Sequence, residues 1–269
     1  MKYGDILSNQ IRVKTSKAGG SGTVIYSQER LGGFHSYAIT CHHVIDDAIT
    51  VRDEWDPRVG RQRKKEYRQL VTTEFFDWAA SPHGHRPLTS SIDAEVVAYD
   101  KNHDMALLKL RMVKAAQAVA ELYPPAAIEE LQVGDAVVAC GCALLHDPIL
   151  THGYITHMGD EIDYKLYWMG SANIIFGNSG GSVFVSREGG HAFIGIPSRI
   201  DVAGWGTPIT HLSYFSPISR VYEFFDEQLY HFLIPGHSHT EEDCEAERAE
   251  RQSDEQRRLL VDTPTTGSE

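Results

Sequence analysis

Short apolar runs separated by turn-forming residues recur along most of the 269-residue chain. Such runs, with turn signals at regular spacing, are typical of all-β barrels, in which each strand crosses a small core once before the chain turns back. The predicted strands of the first half are residues 10–14, 23–26, 37–40, 48–51, 93–99 and 105–110. Those of the second half are residues 136–140, 149–157, 164–169, 182–185, 192–196 and 212–215. The sequence therefore predicts an all-β fold.

The positions of turn-forming and charged residues predict two domains and a tail. The Pro124-Pro125 pair predicts a connector between residues 1–123 and residues 124–235. Apolar residues at helical spacing between 217 and 234 predict a helix after the last strand. From residue 236 to 269 charged residues dominate, and we expect an acidic tail that is disordered or loosely helical, with disorder favoured.

Charge and hydropathy exclude some classes of protein. The net charge of -12 argues against a general nucleic-acid binder, which is usually basic. No apolar run approaches the ~20 residues that a membrane-spanning helix needs, and the N-terminus lacks the apolar core of a signal peptide. The expected location is therefore the cytoplasm, or a virion or similar assembly, with no membrane partner.

The four cysteines do not form an evident disulfide or metal framework. Cys140 and Cys142 are two apart on a predicted strand and point to the same face, but no further ligand is spaced to complete a metal site. His237, His239 and Cys244 are a second conceivable set of metal ligands, for which a solvated tail is the favoured interpretation. We expect free thiols in a reducing compartment, with no metal and no cofactor.

The segment Gly177-Asn178-Ser179-Gly180-Gly181 follows an apolar run and precedes a predicted strand. Glycines on both sides allow the backbone to turn sharply and to approach a substrate closely. A serine nucleophile needs this exposure, together with N–H groups that face the oxygen on which charge develops. Ser179 is therefore the candidate nucleophile, with the N–H groups of Gly177 and Ser179 as a candidate oxyanion hole. A glycine-rich hairpin without chemistry is the alternative.

A nucleophilic serine needs a base and a carboxylate that orients the base. The histidines His42 and His43 follow the predicted strand 37–40, and Asp104 lies just before the predicted strand 105–110. His43 and Asp104 are the favoured candidates. His42 competes with His43, since only one of two neighbouring side chains can face the site, and Asp93 and Asp100 are alternatives to Asp104.

Three motifs in this order carry a resemblance to a known family: Thr40-x-x-His43-Val44, Asp104-x-Ala106-Leu107-Leu108 and Gly177-Asn178-Ser179-Gly180-Gly181. The chain resembles the trypsin-like serine peptidases, and most closely the HtrA-type protease domain without its PDZ domain. The resemblance implies two Greek-key β-barrels of the chymotrypsin type and a closing C-terminal helix. It also implies a Ser-His-Asp triad of Ser179, His43 and Asp104 that hydrolyses polypeptides through an acyl-enzyme intermediate.

Further expectations rest on that resemblance. Counted from the matching motifs, the residues expected to line the specificity pocket are Asn173, Ile174, Ile196, Pro197 and Ser198. No aspartate stands at its floor, so we expect a small or medium apolar residue before the cleaved bond. Trypsins have an aspartate where this chain has Asn178, so activation by a newly freed N-terminal amine is not expected. The family pattern does not decide the oligomeric state.

Residues 52–90 exceed the family's connection between the histidine and the aspartate motifs, and we expect an insertion there. Its basic run, 61–65, and its aromatic run, 75–78, are diluted by interleaved acidic residues. A surface segment that packs on the barrel, as a lid or substrate-selecting wall, is favoured over a nucleic-acid contact. A catalytically silent binding or scaffold protein, and a viral or phage-type self-processing protease, are the alternative functions.

Overall fold

The computed structural model describes residues 3–30, 32–57, 59–79 and 86–261. Within these ranges the chain forms fourteen strands and four α-helices. The helices are α1 (Gly4–Ser8), α2 (His42–Ile45), α3 (Ile218–Glu227) and α4 (Glu241–Val261). The strands are β1 (Gln10–Lys14), β2 (Gly19–Arg30), β3 (Gly33–Thr40), β4 (Ile49–Asp56), β5 (Arg61–Arg68), β6 (Val71–Asp77), β7 (Leu88–Asp100), β8 (Met105–Leu110), β9 (Ala136–Gly141), β10 (Ile149–Ile162), β11 (Lys165–Gly170), β12 (Ser182–Arg187), β13 (Gly190–Ala203) and β14 (Thr207–Pro217).

Twelve of the strands close into two antiparallel barrels. The first barrel has the strand order β1-β2-β3-β8-β7-β6, and the second has the order β10-β11-β14-β13-β12-β9. Closure leaves no free edge in either barrel, since every strand has two hydrogen-bonded neighbours. The prediction of an all-β fold with two barrels and a helix after the last strand, here α3, is confirmed.

Strands β8 and β13 contain runs of consecutive buried side chains, so both faces of these strands are covered. In β8, Met105, Leu107 and Leu108 are at most 1% exposed, and in β13 Phe193 and Ile194 are fully buried. At ~25 cal/mol per Å² of apolar surface removed from water, these side chains are the main source of stability. Both barrels therefore provide rigid strand ends on which loops can hold functional groups.

Residues 52–90 divide into two parts, so the expectation of one insertion was wrong. Strands β4 and β5 form a separate two-stranded sheet. Strand β6, by contrast, pairs with β1 and β7 and closes the first barrel. Val71 and Thr73 of one face are buried, whereas on the other face Glu74 binds Arg12 and Lys14 of β1 and the buried Phe76 packs under the Arg12 guanidinium. Polar residues interrupt the apolar pattern of β6, which is why the sequence did not predict this strand. Arg58 and residues 80–85 lie outside the described residues.

Of the two alternatives for the tail, the structure shows the helical one for residues 241–261, which form α4, and not the favoured disorder. Glu241 at its start is 2% exposed, and its Oε1 accepts a hydrogen bond from the Tyr37 hydroxyl (2.6 Å) and lies 2.8 Å from Nδ1 of His35. Burial, and then the bond to Glu241, raise the pKa of Tyr37. An acidic composition predicts disorder only when the charges lack partners, and here the first barrel supplies them. Residues 262–269 lie outside the described part of the chain.

None of the described helices combines the length and the apolar character that crossing a membrane requires.

Candidate active site

Each of the three candidate catalytic residues lies where a strand gives way to another element. His43 is in α2, directly after β3, and Asp104 immediately precedes β8. Ser179 lies in the loop between β11 and β12, and therefore in the second barrel. Because β3 and β8 are hydrogen-bonded neighbours, with Thr40 opposite Ala106, His43 and Asp104 are adjacent.

Asp104 holds His43 through three contacts. The carboxylate oxygens lie 3.0 Å and 2.8 Å from Nδ1 of His43, and Oδ1 also accepts the backbone N–H of His43 at 2.9 Å. A carboxylate acceptor at Nδ1 favours the tautomer that carries its proton there, so Nε2 is left as an acceptor. The ring can then take a proton from a nucleophile.

The backbone of Asp104 adopts a left-handed conformation, with φ of 56°. Aspartate tolerates this region better than most residues, and such conformations persist where the surroundings enforce them. The resulting turn directs the carboxylate to α2 rather than along the strand.

Ser198 is a third partner of the same carboxylate. Its hydroxyl donates to Oδ2 of Asp104 at 2.8 Å. The sequence assigned Ser198 to the specificity pocket, and its contact with Asp104 was not foreseen. Burial of Asp104 opposes ionisation, but the hydrogen bonds from His43 and Ser198 outweigh it and lower the pKa of the Asp104 carboxyl.

The lowered pKa gives a pH-dependent contribution to stability. The folded-state pKa of Asp104 lies below its unfolded value, so the ionised group stabilises the fold above the unfolded value of about 4 and loses this effect as pH falls through the folded value. We expect Asp104→Asn to lower the free energy of unfolding at pH 7, and this deficit to shrink below about pH 4. Urea denaturation of both proteins between pH 3 and 7 measures it. Asp93→Asn, at an exposed site, is the control. A loss of unfolding free energy in Asp104→Asn that does not change with pH would contradict the lowered pKa of Asp104.

The loop around Ser179 is fixed by its own backbone. Gly177 and Gly180 have φ values of 94° and 85°, in the region that favours glycine. Asn178 is 4% exposed, and its Oδ1 accepts the N–H of Ile175 at 3.0 Å. The Asn178 side chain thus closes the loop internally, whereas the resemblance had only excluded an ion pair with a freed N-terminus.

The polar groups that acyl transfer at Ser179 would use have no hydrogen-bond partner among the described residues. Within the described residues, the N–H groups of Gly177 and Ser179 donate no hydrogen bond. The hydroxyl of Ser179 likewise bonds neither to His43 nor to any other described residue. Two unused N–H groups that flank an unused hydroxyl have the composition of an oxyanion hole and its nucleophile.

Ser21 of β2 connects the loop of Ser179 to the first barrel. Its N–H donates to the carbonyl oxygen of Ser179 (2.8 Å), and its hydroxyl donates to the carbonyl oxygen of Gly177 (2.6 Å). The same hydroxyl accepts the N–H of Cys142 at 2.7 Å. Ser21 was noted in the sequence only as part of a resemblance motif, and these contacts join residues more than 100 positions apart.

Gly180 brings the same loop against the segment that leads to His43. A Cβ at Gly180 would lie 2.3 Å from both the carbonyl oxygen of Ser21 and Oγ1 of Thr40, and 2.9 Å from the backbone nitrogen of Cys41. The residue after Ser179 is therefore in contact with the residue two positions before His43. The candidate nucleophile and the candidate base therefore come from different barrels, and both lie near the contact between the two barrels.

The alternatives to His43 and Asp104 have other partners. His42 is 5% exposed, its ring lies 5.2 Å from that of Tyr99, and Nε2 is 3.5 Å from Asp46. Burial lowers the pKa of His42. The Asp100 carboxylate accepts a hydrogen bond from Nδ1 of His103 and so stabilises the turn after β7. Asp93 is an exposed residue of β7. Neither aspartate contacts His43.

The expected pocket residues separate in the structure. Ile174 and Pro197 line a small apolar cavity of about 10 Å³, together with Gly170, Ser213 and Phe215 among others. Ile196 is 1% exposed within β13, and Asn173 is exposed, its carbonyl oxygen bonded to Thr151 Oγ1 at 2.7 Å.

Two sets of side chains in the described part of the chain have donor atoms close enough to share a metal ion. One is Cys41, His43 and Asp104, and the other is Asp100, His103 and Glu227. The first set is engaged in the contacts above, and burial raises the pKa of the Cys41 thiol well above its usual range, which disfavours a thiolate ligand. Asp100 of the second set already caps its turn. Cys244, buried in α4, belongs to neither set.

Solved structures with the same fold are proteases. "Crystal structure of Deg5" aligns with a TM-score of 0.57 at 19% identity, over 87% of this chain and 93% of that chain. The apo protease domain of MamO from Magnetospirillum magneticum aligns with a TM-score of 0.56 at 15% identity, over 82% and 97%. The HtrA-type protease AlgW with a tripeptide aligns with a TM-score of 0.59 at 16% identity, over 87% and 63%. At these identities the likeness shows the chymotrypsin-type fold alone.

The sequence itself gives a more specific assignment. No curated protein is a significant sequence match to this chain. A family model described as "Trypsin-like peptidase domain" matches residues 20–196, a range that contains all three candidate catalytic residues. Since the match covers more than half of the 269 residues, the chain belongs to the trypsin-like peptidase domain family.

Proposed function

We propose that this protein is a serine endopeptidase that hydrolyses polypeptides through an acyl-enzyme intermediate. Ser179 is the nucleophile, His43 the general base and acid, and Asp104 the residue that orients and stabilises the imidazole. The observation that carries the proposal is the contact of His43 Nδ1 with both carboxylate oxygens of a mostly buried, ionised Asp104, since Nε2 is then left as an acceptor for the proton of Ser179.

The proposed reaction follows from the protonation states. Nε2 of His43 accepts the proton of the Ser179 hydroxyl as its oxygen forms a bond to the peptide carbonyl carbon. The oxyanion receives hydrogen bonds from the N–H groups of Gly177 and Ser179, each worth about 3 kcal/mol in comparable enzymes. His43 then gives the proton to the leaving amine as the C–N bond breaks. Water, activated by the same imidazole, hydrolyses the ester and restores the hydroxyl.

The hydrogen bond between Ser179 and His43 that this reaction needs is not formed between the described residues. Catalytic hydrogen bonds are often long in structures without substrate and tighten when substrate binds. The same observation favours the second candidate, a catalytically silent protein of this fold that binds polypeptides. The two candidates differ in whether the Ser179 hydroxyl is reactive.

A fluorophosphonate probe separates the two candidates. We expect the probe to label the wild-type protein at Ser179, and labelling to fall at least about 100-fold in Ser179→Ala and in His43→Ala, because both the nucleophile and its base are required. Mass spectrometry of the digested adduct locates the modified residue. Ser186→Ala, at an exposed position of β12, is the matched control and should label like the wild type. An unlabelled wild-type protein, with thermal melting that shows it folded, would favour the silent alternative.

A further inference from the structure

A cleft of about 380 Å³ adjoins the proposed catalytic pair. It is lined by His42, His43, Asp46, Lys101, Asp104, Lys165, Tyr167, Ser198 and Arg199. His43 and Asp104 form one wall, so a side chain that enters the cleft belongs to a substrate residue close to the cleaved bond. The chemistry of the other walls therefore selects among substrates.

Those walls are basic in a protein whose net charge is -12. Lys101 comes from the turn between β7 and β8, whereas Lys165 begins β11 and Arg199 lies in β13. Three cations from three separate elements thus meet at one cleft. In an acidic protein a local concentration of positive charge focuses the field on anionic ligands.

The two lysines have no acidic partner. Neither Lys101 nor Lys165 forms an ion pair or a side-chain hydrogen bond with another described residue. Lys165 is partly buried at the cleft, and no carboxylate of the described residues neutralises its charge. An unpaired cation that faces a cleft is stabilised when an anion enters.

The anions of the cleft leave this charge uncompensated. Asp104 is committed to His43 and Ser198, and Asp163 pairs with Arg199 (3.0 Å) rather than with Lys165. Asp46 is the remaining carboxylate of the cleft; its side chain is 61% exposed, and it lies 3.5 Å from His42. Arg199 is therefore balanced by Asp163, whereas Lys101 and Lys165 have no carboxylate partner among the described residues.

We infer that this cleft is a subsite for an acidic side chain, and that Lys165, together with Lys101, makes the proposed peptidase prefer polypeptides with aspartate or glutamate next to the cleaved bond. The inference rests on the proposed function and adds the substrate class to it. A hydrogen bond from an ammonium to a carboxylate is stronger than one to a neutral amide. Discrimination should therefore appear between an acid and its amide, which have almost the same shape.

The experiment compares peptides that differ only in Asp against Asn, or Glu against Gln, at each position flanking the cleaved bond. For the wild type we expect kcat/KM to be about tenfold higher for the acidic member at one flanking position, mainly through KM, since the contact is made in both ground and transition states. The ratio should fall as salt is raised, because the pair is partly exposed. Lys165→Glu should reverse the ratio, and Lys101→Ala should reduce it.

A charge-matched control and a binding measurement keep the two proposals separable. Lys114→Glu makes the same charge change at an exposed lysine that does not line the cleft, and its acid-to-amide ratio should equal that of the wild type. Binding of the same peptides to Ser179→Ala, by fluorescence polarisation, reports the preference without turnover. Cleavage or binding that does not distinguish acid from amide overturns the acidic subsite and leaves the peptidase proposal intact. A wild-type protein that binds the acidic peptide better but neither cleaves it nor reacts with the fluorophosphonate overturns the peptidase proposal alone.

Discussion

Asp104→Asn is expected to lower kcat about 10⁴-fold while the protein remains folded, by analogy with the loss measured for the corresponding carboxylate in trypsin. In the wild type the carboxylate only accepts, from His43 Nδ1, from the His43 backbone and from Ser198. An asparagine must present its NH₂ to one of these partners. Facing Nδ1, it favours the tautomer that is protonated at Nε2, which cannot accept the Ser179 proton.

The measurement is kcat on a peptide that the wild type cleaves, with circular dichroism to confirm folding. Asp93→Asn makes the same chemical change at an exposed residue of β7 and should retain wild-type kcat. A loss below about tenfold in Asp104→Asn would show that His43 does not depend on this carboxylate. The alternatives Asp93 and Asp100 would then be tested in the same way.

Gly180→Ala is expected to destabilise the protein by about 3 kcal/mol or more, and to abolish the activity of the molecules that still fold. The new methyl group would lie 2.3 Å from Thr40 Oγ1 and from the carbonyl oxygen of Ser21, both held in strands of the first barrel. The φ of 85° adds backbone strain for any residue with a Cβ. The loop of Ser179 can avoid the clash only by moving away from the segment that carries His43.

Urea denaturation measures the stability change, and fluorophosphonate labelling measures the reactivity of the folded fraction. Gly190→Ala is the matched control, because a Cβ there meets nothing within 4 Å. We expect its free energy of unfolding to lie within about 1 kcal/mol of the wild type. Equal stability of Gly180→Ala and Gly190→Ala would contradict the close contact between the two barrels at Gly180.

The fold could be predicted from the sequence wherever an element shows its own periodicity. Strand β8 is a short apolar run and was predicted with its observed bounds, whereas helix α3 was expected within residues 217–234 and ends at Glu227. Strand β6 was missed because Thr72 and Glu74 interrupt the apolar pattern. Disorder was favoured over helix α4 because the burial of Glu241 depends on partners about 200 residues away, which no local pattern reports.

The candidate site shows the same division. The motifs around His43, Asp104 and Ser179 point to the three residues from local sequence, and the contact of His43 with Asp104 agrees with that prediction. The triad as a whole stays a prediction. The bond from Ser198 to Asp104 and the bridge from Ser21 to Gly177 had no local signal, since a lone serine is compatible with many roles.

By itself, the sequence determined the strand-rich fold, the family and the identity of the candidate catalytic groups, because strand periodicity and short glycine-rich motifs are properties of neighbouring residues. Only the tertiary structure decided which hydroxyl supports Asp104, that Glu241 fastens the last helix to the first barrel, and that Lys101 and Lys165 meet at one cleft. Hydrogen bonds and electrostatic fields depend on distances between residues far apart in the chain, and closure of the two barrels sets those distances.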